Sequence, residues 1–207
     1  ILQEFTYRVT KDECLDLPPK IYTKREFDMS SEQKKAYDSM RKNAIAFLEE
    51  TEATTTSVIT QLIRLHQISC GYLPMDDETI VEFENTRYSE LLEEKYGKDS
   101  LVTYFGDTKD DDRQTNVQLF QDAASPVKFF LGNTQTGGYG ITLTAASTVV
   151  YYSNNYDLEK RMQSEDRAHR IGQHHPVIYI DLVCRDTVDE KIIKALRNKI
   201  TLARAVT

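Results

Sequence analysis

Apolar residues recur at helical spacing in the first part of the chain, after an extended beginning. Residues 1–25 alternate apolar and polar side chains and contain a double proline, which excludes a helix there and predicts an irregular, stiff connector. Ser30, followed three residues later by Gln33, has the spacing of a capping box and predicts the start of a helix. A second helix is predicted over 57–69, and Gly71 is placed to end it.

Short apolar runs alternate with amphipathic segments in the second part of the chain, after an acidic stretch at 74–86 that predicts a surface loop or hairpin. The run at 148–152 lacks polar alternation, which predicts a strand buried on both faces. The order of the elements predicts an α/β fold, with a mainly parallel sheet flanked by helices and preceded by a helical lead-in. The predicted elements are strands over 101–105, 127–131, 148–152 and 177–183, and helices over 111–122, 158–169 and 187–204.

The 207-residue chain is acidic overall, with a formal net charge of −7, which argues against binding nucleic acid through overall charge. The charges are unevenly distributed, however. Residues 76–112 contain 13 acidic and 4 basic residues, whereas 160–207 contain 10 basic and 6 acidic residues. Any contact with a polyanion is therefore expected in the C-terminal third, although a charged stretch can equally be a solvated face.

The three cysteines, Cys14, Cys70 and Cys184, are far apart and form no CxxC pair, which disfavours a metal site and favours free buried thiols. Such use of cysteine is typical of a reducing intracellular compartment. The longest apolar runs are too short to span a bilayer, so no membrane partner is expected. The first residues contain neither an initiator Met nor a signal pattern, and we interpret the sequence as part of a longer protein.

Two arginines dominate the most distinctive segment, residues 163–173. Arg167 and Arg170 lie three residues apart, so on a helix they project from one face. A pair of guanidinium groups suits a phosphate chain, because each presents a fixed set of donors and keeps its charge. On spacing alone, the same pair could serve simply to complement the dipole at a helix C-terminus.

A second distinctive segment, residues 132–143, follows a predicted strand and contains the sequence Gly137-Gly138-Tyr139-Gly140. Glycines at this density allow backbone amides to approach a phosphate closely. Taken alone, such a run also fits a tight turn.

The string Arg167-Ala-His-Arg-Ile-Gly-Gln173 closely resembles the last motif of the Swi/Snf family of helicase-like ATPases. The resemblance implies a RecA-like C-terminal lobe in which Arg167 and Arg170 act as arginine fingers on ATP. It also implies that Gln163, which opens the motif, lies near the nucleotide and the interface between lobes. Gln173 replaces the arginine that is usual in RNA helicases of the DEAD-box type, and it favours a duplex-DNA translocase over a strand-separating RNA helicase.

The glycine-rich segment resembles motif V of the same family, which lines the DNA backbone and couples it to the nucleotide cleft. This resemblance implies DNA contacts by Thr134, Gly137 and Gly138, and a link to the nucleotide through Gly138 and Gly140. Gln135 stands where the family often has a basic residue, so no charge contact with DNA is expected there.

The resemblance covers nearly the whole chain. It implies the end of a first lobe and a linker over 1–29, a helical lead-in with an acidic loop over 30–86, and the C-terminal lobe over 87–207. Arg113 matches the arginine of a Gly…Arg…Phe segment of the family. Asn154-Asn155-Tyr156 replaces the usual Trp-Asn-Pro, a variant that favours a phage-like or prokaryotic member, located in the cytoplasm of a bacterium or a phage-infected cell.

Two parts of the family pattern are missing. The Gly-x-x-x-x-Gly-Lys-Ser/Thr phosphate loop and an Asp-Glu-x-His-type metal motif occur nowhere in the sequence. ATP and Mg²⁺ are therefore expected to bind mainly to the preceding lobe of the full-length protein, and this chain alone is expected to hydrolyse no ATP. An apolar strand and its crossover helix, about 25 residues of a βαβ unit, are also absent after Leu92, so we predict that residues are missing between Leu92 and Glu93.

The resulting hypothesis is the C-terminal half of an ATP-dependent translocase on double-stranded DNA. Its expected partners are DNA and the N-terminal RecA-like lobe of the same polypeptide. The alternative is a non-catalytic DNA- or protein-interaction domain that keeps the lobe fold. Such a domain would be expected to lose the two arginines first, and both are present.

Overall fold

The computed structural model describes residues 15–50, 55–75, 79–83, 88–106, 108–134 and 140–206. A short 3₁₀ turn, Lys98–Ser100, precedes the fourth strand. The strands and helices, in chain order, are β1 (Lys20–Phe27), α1 (Ser31–Glu50), α2 (Thr55–Ser69), β2 (Tyr72–Pro74), β3 (Ile80–Glu82), α3 (Tyr88–Tyr96), β4 (Leu101–Tyr104), α4 (Asp110–Gln121), β5 (Phe129–Gly132), β6 (Thr148–Tyr151), α5 (Leu158–Ala168), β7 (Val177–Cys184) and α6 (Val188–Val206).

Parallel strand pairing predominates in the described residues. Strand β7 pairs with β1 on one side and with β6 on the other, which gives a three-stranded parallel sheet in the order β1-β7-β6. Strands β4 and β5 form a second parallel pair, and the short β2–β3 hairpin is antiparallel. Helix α4 connects β4 to β5 and α5 connects β6 to β7, because a parallel pair needs a crossover. The predicted mainly parallel α/β fold is confirmed.

The helical lead-in packs against the end of the lobe through one apolar cluster. The predicted capping box starts α1, since Gln33 N donates to Ser30 Oγ (3.2 Å) and Ser30 N donates to Gln33 Oε1 (3.3 Å). Gly71, with a φ of 91°, follows the end of α2 as predicted, in a conformation that glycine adopts without strain. Side chains from α1, α2, the hairpin and α6 form the cluster: Tyr37, Leu65, Ile68, Phe83 and Val188.

A buried carboxylate reinforces the junction between α2 and α6. Asp189 Oδ1 accepts from Ser69 Oγ (2.7 Å) and from His66 Nδ1 (3.0 Å), and Asp189 Oδ2 accepts from Cys184 N (3.2 Å). These bonds satisfy a charged group that would be costly to bury without partners. The lead-in helices are therefore fixed to the lobe by polar contacts as well as by apolar packing.

Two of the three cysteines are free and buried, as the sequence analysis predicted. Burial raises the pKa of Cys70 and of Cys184 to about 12, so neither thiol forms the reactive thiolate at neutral pH. Cys14 lies outside the described residues.

Two predictions about the strands were wrong. The irregular connector was expected to extend to residue 25, but Lys20–Phe27 pairs in register with Val177–Cys184, because the edge of β7 offers backbone groups that a strand can satisfy. The run at 148–152 was expected to be buried on both faces, but Tyr151 is buried while Val150 is 54% exposed. Strand β6 lies at one edge of the described three-stranded sheet, and one of its faces is open to solvent.

Helix α3 runs through Leu92 and Glu93 without interruption. In the described residues, the β4–β5 pair and the three-stranded sheet are separate sheets. The segment expected between Leu92 and Glu93 stays a prediction, as do the domain boundaries after residues 29 and 86.

Candidate functional site

Helix α5 presents one face to the sheet and another to solvent. Asp157 caps its start by accepting from Lys160 N at 3.1 Å. The residues that it buries are four and three positions apart, so they form a single stripe along the helix: Arg161, Glu165 and Ala168. Two of these three residues are charged, so ion pairs as well as apolar contact fix the helix on the sheet.

Arg161 anchors the buried face of α5. Its Nε donates to Glu165 Oε1 (2.8 Å), its Nη1 donates to Asp181 Oδ1 (2.6 Å), and its guanidinium carbon lies 3.5 Å from the centre of the Tyr151 ring. Burial alone would lower the pKa of Arg161, but the hydrogen bond and the charge of Asp181 outweigh it, and the pKa is raised. Arg161 was not among the predicted site residues, although its spacing of four from Glu165 was a signal for an ion pair.

The predicted site residues lie on the outward side of α5 and just beyond its end. Gln163 is exposed and donates to Glu159 Oε1 (2.9 Å) of the same helix. Arg167, one turn later, is half-buried, and Arg170 follows the last helical turn and is exposed. Neither arginine is enclosed in the core of the lobe. A role at an open cleft requires such access.

Both arginines reach the glycine-rich segment. Arg167 Nη2 donates to Thr134 O (3.3 Å). Arg170 Nη1 donates to Gly140 O (3.3 Å) and to Thr142 Oγ1 (3.4 Å). The structure thus brings together two predicted arginines, one predicted DNA contact and one predicted coupling glycine. Thr142 was not predicted as a contact; its signal was a hydroxyl side chain two residues after Gly140.

Residues 135–139, which include Gly137 and Gly138, lie outside the described residues. The two flanks of this stretch are the parts that the arginines contact. A β-carbon added at Gly140 would lie 3.9 Å from Arg170 Nη1, which is an ordinary contact distance, so Gly140 has room for a methyl group.

The outward end of α5 carries two permanent positive charges. Burial lowers the pKa of Arg167, because the charged form loses hydration. Arginine nevertheless stays charged at neutral pH. Arg170 is exposed, so its guanidinium can meet an anionic ligand without leaving a buried position.

Gln173 is buried and ties the glycine-rich segment to the end of α5. Its side-chain nitrogen lies within 3.1 Å of three backbone carbonyls, those of Thr144, Ala146 and Ala168. In addition, Leu143 N donates to Arg167 O (2.8 Å). Gln173, which the sequence marks as typical of a DNA translocase, therefore has a structural role, because it holds the glycine-rich segment and the end of α5 together.

Arg113, which matched a family segment, closes the turn between β4 and α4. Its Nη2 donates to Phe105 O (3.1 Å) and Gly106 O (2.7 Å), and its Nη1 donates to Asp110 Oδ1 (3.0 Å). These contacts satisfy carbonyls at the end of the strand, and Asp110 lies in the first turn of α4, at the positive end of the helix dipole. Arg113 therefore has a structural role in this turn.

None of the helices in the described part of the chain is both long and apolar enough to cross a membrane. Within the same residues, no group of three or more His, Cys, Asp or Glu side chains could hold a metal ion. The ATP and Mg²⁺ expected in the full-length protein stay predictions.

Comparison with known proteins identifies the family. Residues 59–172 match the model of the helicase conserved C-terminal domain. The chain belongs to this family. It is 35% identical over 129 residues to the chromatin-remodeling ATPase INO80 of Homo sapiens, a match that covers 61% of this chain and 8% of that protein. The INO80 ATPase of Arabidopsis thaliana is 37% identical over 123 residues, which cover 58% of this chain and 8% of that protein. The matched part of the chain thus covers less than a tenth of the length of these two relatives.

Two solved structures share the fold of this helicase lobe. The C-terminal part of the Fun30 ATPase domain has a TM-score of 0.68 and 16% identity, covering 87% of this chain and 90% of that one. The Sulfolobus solfataricus SWI2/SNF2 ATPase core in complex with dsDNA has a TM-score of 0.64 and 23% identity, and the match covers 93% of this chain and 47% of that one. The predicted resemblance to Swi/Snf-type lobes is confirmed. The relatives named here give no support to the predicted bacterial or phage-like origin.

Proposed function

We propose that this chain is the C-terminal lobe of a DNA-dependent ATPase that moves along duplex DNA. Three findings support the proposal: membership of the helicase C-terminal family, similarity to proteins named chromatin-remodeling ATPases, and a fold shared with an ATPase core solved in complex with dsDNA. The preceding RecA-like lobe of the same polypeptide would bind ATP and Mg²⁺, because the phosphate-loop and metal motifs are missing from this sequence.

The arginine pair is the observation that carries the proposal. Arg167 is half-buried and extends from the side of α5 that Arg161 and Glu165 leave free, and Arg170, just beyond the end of the helix, is exposed. At a cleft with a second lobe, two permanent cations would stabilise the charge that develops on the γ-phosphoryl group during transfer. Gln163, exposed one turn before Arg167, would lie at the same interface.

The glycine-rich segment would contact the DNA backbone and transmit its state to the nucleotide. Thr134, Gly137 and Gly138 are the proposed phosphate contacts, and Gly138 and Gly140 the proposed coupling positions. The hydrogen bonds from both arginines to the flanks of this segment support the coupling. A shift of the segment on DNA would change the partners of both guanidinium groups.

The test is Arg170→Ala in the full-length protein that carries both lobes, with ATP turnover and duplex-DNA affinity measured separately. Loss of an arginine finger is expected to lower kcat by about 10³-fold, while the affinity for DNA is retained. The matched control is Arg41→Ala, an exposed arginine on α1 that lies 3.7 Å from Asp38, and it should leave both quantities unchanged. Equal loss of turnover and DNA affinity in Arg170→Ala would contradict the assignment.

Two simpler measurements separate the remaining hypotheses. The chain alone is expected to hydrolyse no ATP, and turnover stimulated by DNA would overturn that expectation. Duplex DNA, single-stranded DNA and RNA compared as activators of the full-length protein distinguish a duplex translocase from a strand-separating RNA helicase. A full-length protein that binds DNA without any turnover would indicate the non-catalytic interaction domain instead.

A further inference from the structure

Strand β1 contacts the arginine helix as well as strand β7. Lys20 Nζ donates to Glu165 Oε2 (3.2 Å), and Tyr22 Oη donates to the same oxygen (2.7 Å). Just before β1, Pro18 O accepts from His169 Nε2 (2.7 Å). The start of the lead-in is therefore bound to α5 at one point within the helix and at a second point directly after it.

Glu165 is shared between the core of the lobe and β1. Its side chain is 4% exposed; Oε1 accepts from Arg161, and Oε2 accepts from Lys20 and Tyr22. The second oxygen keeps these partners only while β1 is docked. Within the buried cluster, the charges of Arg161 and Lys20 offset those of Glu165 and Asp181, and Lys20 also contacts the more exposed Asp166 at 3.5 Å. Displacement of Lys20 would leave a net negative charge in a buried position, which is unfavourable.

The two contacts with β1 lie on either side of Arg167. Glu165 precedes Arg167 by two residues, His169 follows it by two, and Arg170 comes next. His169 is buried, and its Nδ1 has no partner among the described residues, so the bond to Pro18 O is the polar contact that orients the ring. Because the helix backbone is held by its own hydrogen bonds, fixing both positions fixes the direction in which the arginines project.

We propose that Lys20 and Tyr22, acting through Glu165, are positioning residues that hold Arg167 and Arg170 in the geometry required for ATP hydrolysis. The inference rests on the proposed function and adds a point of control to it. Movement of the chain that leads into β1 would reach the arginine pair directly, without any change in the lobe that binds the nucleotide. The docking of β1 thus sets the rate of turnover.

The test compares Lys20→Met, Lys20→Arg and the matched control Lys24→Met in the full-length protein. Lys24 lies in the same strand, but it pairs with Glu26 of that strand. Lys20→Met is expected to lower kcat about tenfold, since a misplacement of about 1 Å can reduce a rate by about 10²-fold, while KM for ATP and the affinity for DNA change little. Lys20→Arg restores the cation and should recover most of kcat, and Lys24→Met should match the parent protein.

A parent-like kcat for Lys20→Met would overturn the proposal. An equal fall in kcat for Lys24→Met would also overturn it, because the effect would then reflect the stability of the strand and not the contact with Glu165. If Lys20→Met fails to fold, Tyr22→Phe removes only the hydroxyl that bonds Glu165 and should lower kcat in the same direction, by a smaller factor. An unchanged kcat for Tyr22→Phe would refute the proposal in that case.

The outcomes also separate this proposal from the proposed function. If Arg170→Ala is inactive and Lys20→Met turns over ATP like the parent, only the positioning role fails. If the parent shows no turnover, or if Arg170→Ala keeps it, both proposals fail.

Discussion

Replacement of Arg161 by methionine removes the cation at the centre of the buried face of α5 and keeps a side chain of similar length. In the parent protein, the guanidinium donates to Glu165 (2.8 Å) and Asp181 (2.6 Å) and packs 3.5 Å from the centre of the Tyr151 ring. The variant keeps both buried carboxylates. One cation that contacts them remains, Lys20, which lies 3.2 Å from Glu165. Lys20 contacts Glu165 and the more exposed Asp166, so Asp181 keeps its hydrogen bond from Asn154 Nδ2 (3.1 Å) but loses its cation.

The expected loss follows from the cost of an unpaired buried charge. Removal of one member of a buried ion pair typically costs about 3–5 kcal/mol, because the partner stays buried without compensation. The cation–ring contact contributes about 1 kcal/mol in addition. We therefore expect the free energy of unfolding of Arg161→Met to fall by about 5 kcal/mol, which is a large share of the roughly 5–15 kcal/mol of a typical domain.

Urea unfolding followed by circular dichroism measures this loss. Arg41→Met on α1 is the control and should stay within about 0.5 kcal/mol of the parent. Adding Asp181→Asn to Arg161→Met should recover part of the loss, since one uncompensated charge is removed, and the double-mutant cycle should show a coupling of about 2 kcal/mol. A loss below about 1 kcal/mol for Arg161→Met, or additive effects in the cycle, would refute the view that these ion pairs hold α5.

Three further predictions concern the backbone, the helix cap and the pH dependence of stability. Gly172→Ala should lower the free energy of unfolding in urea by about 1–2 kcal/mol, because Gly172 has a φ of +96°. Gly140→Ala, where the added β-carbon makes an ordinary 3.9 Å contact, should lower it by less than about 0.5 kcal/mol. Equal losses would contradict the view that the positive φ of Gly172 requires glycine. Ser30→Ala should lose about 1 kcal/mol in the same assay, since it removes the cap of α1, and an unchanged midpoint would show that the cap is dispensable. Burial raises the pKa of Tyr151 from 10.0 and of Cys184 from 9.0, each to about 12, so the folded state favours both protonated forms. Their contribution to stability is complete at a pH below the unfolded-state pKa values of 9.0 and 10.0, and it is lost as the pH rises to about 12. The free energy of unfolding should therefore fall between these pH values, and it should fall less steeply in Tyr151→Phe.

Elements whose signals lie within a few residues could be predicted from the sequence. The cap formed by Ser30 and Gln33 and the helix end at Gly71 depend on neighbours in the chain, and both were placed correctly. Strand β1 could not be predicted, because pairing with Val177–Cys184 at the far end of the sequence stabilises it. The exposure of Val150 depends on which element lies over the sheet, and that information is also distant in sequence.

The motif strings located the arginine pair but not the residues that support it. Arg161 and Arg167 lie on the same helix and differ chiefly in burial, which depends on Asp181 of β7 and Tyr151 of β6. Resemblance marked Gln173 as a family signature, and the structure adds the carbonyls that its amide binds. In both cases, residues distant in sequence determine the surroundings of a side chain that the motif identifies.

The charged residues on the buried face of α5 determine which way the outward face of the helix points. An apolar stripe would also stabilise the helix on the sheet, but apolar burial is non-directional and tolerates rotation about the helix axis. Directional bonds to the neighbouring strands, from Arg161 to Asp181 of β7 and from Lys20 and Tyr22 of β1 to Glu165, form in a narrow range of orientations and resist such rotation. Neighbouring residues on a helix are separated by about 100°, so even part of one such step would swing Arg167 away from Thr134. Buried charges are a costly way to attach a helix but an effective way to fix its orientation, and the role proposed for the arginine pair, contact with a phosphoryl group across a cleft, depends on that orientation.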